Sequence, residues 1–157
     1  DGHADFDSEG EQAVISAKGI ALIIRFEGMK LSAYPDPGTG AEPWTIGVGH
    51  TGGVKPGDTF TEAEAMDWLR DDCAKAEQAI DDLVEPELTQ NQRDALISFI
   101  YNVGAGNFKA STLLKLLNIG NFGAAAQQFK RWSNANGHPM AGLVKRREAE
   151  STLFLEA

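Results

Sequence analysis

Apolar residues recur at helical spacing over much of this chain, and the interruptions fall where capping and turn chemistry place them. Residues 16–27 predict a helix with Ile20, Ile23 and Ile24 on one face and Ser16 as its N-cap. Glu27 falls seven, four and three residues beyond those isoleucines, on or beside the apolar face, and Gly28 is its natural C-cap. Residues 31–59 have no helical period and hold seven glycines and four prolines. That composition predicts tight turns between short strands at 32–34, 44–47 and, more weakly, near Thr59. Thr61-Glu62-Ala63-Glu64 is a capping box that opens a helix over 61–84, ended by Pro86. A second box at Thr89–Gln92 opens a helix with Ala95, Leu96, Phe99, Ile100 and Val103 on its core face, stopped by Gly104 and Gly106. Shorter helices follow over 111–117 and 122–132, then a polar loop over 133–140. A last helix over 143–155 carries Lys145, Arg146 and Arg147 in its first turn. Positive charge there opposes the helix dipole and points to an ion-pair or functional role for Arg146 or Arg147.

These elements predict an α+β fold of one domain over 13–157, after a polar, acidic, flexible tail over 1–12. A chain of 157 residues is long enough to bury a proper core. No run of about 18 apolar residues exists, so no stable membrane insertion is expected. The chain begins at Asp1, so a leader or anchor removed from its N-terminus is compatible with it. The single cysteine, Cys73, excludes an intrachain disulfide. The three histidines, His3, His50 and His138, are scattered, so no metal or other cofactor is expected.

Charge is unevenly spread. Residues 1–87 hold 19 acids against 6 bases, whereas residues 88–147 hold one acid, Asp94, against 8 bases. A formal net charge of −9 argues against nucleic acid as a partner. The basic second half suits a local attraction to an anionic polymer. Nothing points beyond a monomer.

The chemistry concentrates between Phe26 and Thr51. Glu27, Asp36 and Thr45 are spaced nine residues apart, the first at a helix end and the second in a Pro-Asp-Pro-Gly turn. Glycoside hydrolysis needs a protonated acid on the leaving oxygen and a second group across the sugar ring. An apolar helix end favours the protonated carboxyl, and a polar turn favours the ionised one. Thr45 is suited to position a water or to order the second carboxylate. His50, in Gly47-Val48-Gly49-His50-Thr51, reads first as a brace for the hairpin.

Taken together, Phe26-Glu27-Gly28, the Tyr34-containing turn and Trp44-Thr45-Ile46-Gly47-Val48-Gly49-His50-Thr51 resemble the phage-type lysozymes of glycoside hydrolase family 24. The likeness continues through Gln92-Arg93-Asp94-Ala95-Leu96 with Phe99, Asn102-Val103-Gly104, and Ser111-Thr112-Leu113-Leu114. It ends on Gly142-Leu143 with Arg146-Arg147 and Glu150, and so covers roughly residues 15–155 in order. The resemblance implies a lysozyme-like fold: a β-containing lobe at about 28–60, a linking helix at about 61–84 and a helical lobe at about 88–156. It implies peptidoglycan glycan strands as substrate, cut at the β-1,4 bond between N-acetylmuramic acid and N-acetylglucosamine. By motif position Glu27 matches the general acid, Asp36 the second carboxylate and Thr45 the catalytic threonine. Arg146 or Arg147 is then the partner of Glu27.

A phage endolysin made in the bacterial cytoplasm reaches the wall from the periplasm, through a holin-type lesion or by a lost N-terminal anchor. Two departures from the family stand out: the long Asp36–Thr45 loop and the acidic balance, which suits salty surroundings. The alternative from another class is a non-catalytic module of the same fold that binds wall glycan or protein partners. A transglycosylase needs no water-activating carboxylate, and Asp36 with Thr45 points away from it.

Overall fold

The structure is a computed structural model that describes residues 14–35 and 40–156. The acidic tail and Asp36 lie outside the described residues. The elements are α1 (Ala17–Glu27), β1 (Lys30–Tyr34), β2 (Thr45–Gly47), α2 (Glu62–Leu83), α3 (Gln90–Val103), α4 (Ala105–Lys109), α5 (Thr112–Asn118), α6 (Phe122–Gln128), a 3-10 turn (Phe129–Trp132), β3 (Asn134–Ala135), β4 (His138–Pro139) and α7 (Ala141–Leu155). This is the expected α+β class. The chain divides into two compact units, residues 23–72 and residues 1–22 with 73–157, so α1 and α2 each contribute to both.

In the smaller unit β1 pairs antiparallel with β2, and Ser32 forms an isolated bridge to Thr59 on the other edge. The three expected β segments are therefore present, although only two are strands. Ile46, Val48, Ala65 and Leu69 are buried in this unit. The capping box at the start of α2 forms as its sequence requires: Glu64 N–H donates to Thr61 Oγ1 at 3.2 Å, and Thr61 N–H donates to Glu64 Oε1 at 3.2 Å.

In the larger unit α3 has the second capping box, with Gln92 N–H donating to Thr89 Oγ1 at 3.1 Å. Its core is aromatic. Phe99 meets Phe129 and Trp132 edge-on at ring-centre distances of 5.3 and 5.7 Å, and Phe154 packs on Phe129 at 5.7 Å. Cys73, the single cysteine, is buried. Among the described residues no helix is long and apolar enough to cross a membrane.

Four local expectations are corrected. Gly106 does not stop a helix; the chain turns at Gly104, where φ is 92°, and re-enters a helix that contains Gly106. Residues 133–140 are not a plain loop but hold the β3–β4 hairpin, closed by Asn136 and Gly137 with φ of 52° and 79°. Helix α7 starts two residues earlier than expected, so Lys145, Arg146 and Arg147 lie beyond its first turn and the dipole argument no longer applies. Ser16 does not cap α1 with its own hydroxyl. That hydroxyl bonds Asp94 Oδ2, Ser16 N–H donates to Asp94 Oδ1 at 2.9 Å, and Ile15 N–H donates to Glu77 Oε1 at 2.7 Å. The residues that enter α1 are thus tied to α2 and α3, and Gln90 joins them by donating to Asp94 Oδ1 at 2.9 Å and to the Val14 carbonyl at 3.1 Å.

Candidate active site

Glu27 is the last residue of α1 and is half-buried. The helix stops there because Gly28 adopts φ of 74° and its N–H donates to the Ile24 carbonyl at 2.7 Å. Two residues later β1 begins, so the carboxylate sits at a sharp change from helix to strand. Arg25 lies in the same last turn with its guanidinium over the Phe26 ring, 4.8 Å from the ring centre.

Thr45 opens β2 and is 8% exposed, opposite Tyr34 of β1 in the ladder. Tyr34 is half-buried. Burial pushes its phenol above the ordinary tyrosine value, and the negative charge of Glu27 pushes it the same way. Glu27, Tyr34 and Thr45 therefore belong to one compact unit, with Glu27 electrostatically felt at the phenol.

His50 is placed by three contacts. Its Nδ1 lies 2.8 Å from Asp72 Oδ2, its Nε2 lies 3.1 Å from the Gly52 carbonyl, and its ring stacks on Trp68 at a centroid distance of 4.3 Å. Its backbone closes the turn back to β2, with Ile46 N–H donating to the His50 carbonyl at 2.8 Å and the reverse bond at 3.0 Å. The turn needs Gly47 and Gly49, whose φ angles are 65° and 75°. The side chain that follows Thr45 by five positions is thus tied to α2. Asp72 and Trp68 escaped the sequence reading. Their i, i+4 spacing on one face of a predicted helix was the available signal, but nothing local links that face to a histidine 22 residues earlier.

Arg146 and Arg147 are 3% and 0% exposed and share Glu150, itself 0% exposed. Arg147 Nε lies 2.8 Å from Glu150 Oε1, and Arg146 Nε lies 3.3 Å from Oε2. Ser98 Oγ donates to the same carboxylate at 2.6 Å, Arg146 donates to the Ser98 carbonyl at 3.0 Å, and Arg147 donates to Asn102 at 2.8 Å. Desolvation pushes the Glu150 carboxyl upward, against the pull of Arg147, Arg146 and Ser98. Among the described residues no group of three His, Cys, Asp or Glu side chains is placed to hold a metal.

A small sheet with a set of packed helices makes an α+β fold of the lysozyme type. The Phage lysozyme family model matches residues 24–150. The endolysin of Acyrthosiphon pisum secondary endosymbiont phage 1 is 44% identical over 147 residues, covering 91% of this chain and 99% of that one. Among solved structures, the muramidase domain of SpmX from Asticaccaulis excentricus superposes with a TM-score of 0.83 at 39% identity, over 91% of this chain and 98% of that one. A mutant of P22 lysozyme superposes with a TM-score of 0.82 at 42% identity, over 91% and 99%. The chain belongs to the phage lysozyme family, and is a glycoside hydrolase of the lysozyme class.

Proposed function

We propose that this protein is an endolysin that hydrolyses the β-1,4 bond between N-acetylmuramic acid and N-acetylglucosamine in peptidoglycan. In this reading Glu27 gives its proton to the leaving glycosidic oxygen, Asp36 is the second carboxylate, and Thr45 orders the water or that carboxylate. The observation that carries the reading is the placement of Glu27 at the α1–β1 junction, in one compact unit with the buried Thr45 and within electrostatic reach of Tyr34.

His50, Arg146 and Arg147 are supporting residues. His50 acts through the turn after Thr45, and the arginines act through the buried Glu150 cluster. The enzyme works as a monomer on the cell wall, from the periplasmic side, without inserting in the membrane.

Turbidity loss of purified sacculi, measured for the parent protein beside Glu27→Gln, tests the reading. Clearing by the parent and at least about a hundredfold slower clearing by the variant is the expected result for loss of a general acid. No clearing by either, with binding to sacculi retained, replaces hydrolysis by a wall-binding module. Equal clearing by both moves the acid to another residue.

A further inference from the structure

The β3–β4 hairpin is weakly held. Each strand has two residues, and among the described residues no third strand joins them. Pro139 stands opposite Asn134 and has no N–H to give the ladder. At the base a bond from Met140 N–H to the Ser133 carbonyl, 2.9 Å long, closes the hairpin just before α7. Asn134, His138 and Pro139 are exposed, so the strands bury little apolar surface. An isolated pair of strands is marginal in water, and a segment with few buried contacts opens without the rest of the fold.

At the tip, Asn136 and Gly137 are both exposed, with φ of 52° and 79°. Of the seven asparagines in the chain, Asn136 alone precedes a glycine. The side-chain amides of Asn102, Asn107, Asn118 and Asn121 are each held by a hydrogen bond. Among the described residues the amide of Asn136 forms none. Gly137 has no side chain to shield its own nitrogen, and that nitrogen lies outside the pair that Ala135 forms with His138.

We propose that Asn136-Gly137 is a site of self-modification, at which the Gly137 nitrogen attacks the side-chain carbonyl carbon of Asn136 when the hairpin opens. The new C–N bond closes a succinimide ring. The Gly137 N–H proton passes through water to the amide nitrogen of Asn136, which leaves as ammonia with the electron pair of the broken C–N bond. Water then adds to one carbonyl of the ring and breaks its bond to nitrogen. Opening at the side-chain carbonyl leaves aspartate on the original backbone. Opening at the other leaves isoaspartate, whose backbone runs through the side-chain carbons. Water is the only co-reactant. The ring holds the Asn136 ψ away from its left-handed value, so closure follows opening of the turn. The two products then part. Aspartate tolerates the left-handed conformation as asparagine does, and the hairpin re-forms with one more negative charge. Isoaspartate adds a methylene to the tip, so the strands no longer meet in register and the opening is lasting.

The test holds the purified full chain at neutral pH, folded or in urea, and follows it by peptide mapping with mass spectrometry and by ammonia release. In the folded chain Asn136 is expected to convert before any other asparagine. The ammonia released matches the Asn136 lost, and the peptide divides into aspartate and isoaspartate forms. Amide exchange reads the second step: Met140 N–H exchanges faster in the isoaspartate fraction and at the parental rate in Asn136→Asp. Earlier conversion of another asparagine overturns the site. Conversion in urea with none in the folded chain also overturns it, because the turn then does not open. Parental exchange at Met140 in the isoaspartate fraction overturns the lasting opening.

Discussion

Glu150 shows how far a single side chain can be committed by its surroundings. Two guanidiniums and one hydroxyl converge on a carboxylate with no solvent access. Arginine does not give up its proton in a protein, so removing the carboxylate charge leaves two buried cations facing each other. Glu150→Gln is therefore expected to lose about 3–5 kcal/mol of stability, the usual cost of breaking a buried pair from one side. Urea unfolding would measure it; a loss under about 1 kcal/mol would show that the arginines reach water or other partners. This cluster also marks a limit of sequence reading. Arg146, Arg147 and Glu150 stand out in the chain at i, i+1 and i+4, but Ser98, which completes the cluster from α3, carries no sign of it. Glu27 and Thr45 were legible because they sit in one local motif. Tyr34 was visible as part of that motif but not as the partner of Thr45, because an interrupted register leaves no periodic trace.

At the scale of elements, both capping boxes and the long α2 followed from local chemistry, while the start of α1 did not. Ser16 has the right type for an N-cap, yet the long-range carboxylate of Asp94 wins its hydroxyl and its N–H. The same junction places Glu77 under tension. Desolvation pushes its carboxyl upward; the Ile15 N–H and Arg93 pull it down, and Asp81 and Asp94 add to the rise. A carboxyl raised on folding binds its proton more tightly in the native state. It therefore contributes stability at pH below its ordinary range, and that contribution is lost as pH rises through its native value. Glu77→Gln, which keeps an acceptor for Ile15 and removes the charge, should raise the melting temperature at pH 7. The gain should vanish near pH 4. A variant less stable than the parent at pH 7 would mean that the charged bond to Ile15 outweighs desolvation. The β3–β4 hairpin was readable in principle, since Asn136-Gly137 is a strong hairpin signal, but two-residue strands leave no alternation around it.

For the whole molecule the governing quantity is a net charge of −9, carried mostly by the first 87 residues. Like charges at this density repel in the compact state, and salt screens them with a Debye length of about 8 Å at physiological ionic strength. The melting temperature should rise as sodium chloride is added from 10 mM to about 0.3 M, before any stabilisation by salting-out. Flat or falling melting temperatures would assign the acids to local ion pairs such as Asp81 with Arg93, 3.1 Å apart. The wall is also anionic, so the same screening should speed lysis up to moderate salt. A lysis maximum at very low salt would show that attraction by the basic second half dominates the encounter.

The tie between Ser16, at the entry to α1, and Asp94 has a consequence in time as well as in space. Ser16 and Asp94 are 78 residues apart in the chain. At the usual pace of synthesis the second partner follows the first by roughly 4–16 s. A chain that stops before Asp94 carries Glu27 and Thr45 but lacks the carboxylate that holds Ser16, and keeps at most the Glu77 bond to Ile15. The entry to that helix is therefore complete only once the middle of the chain has been made.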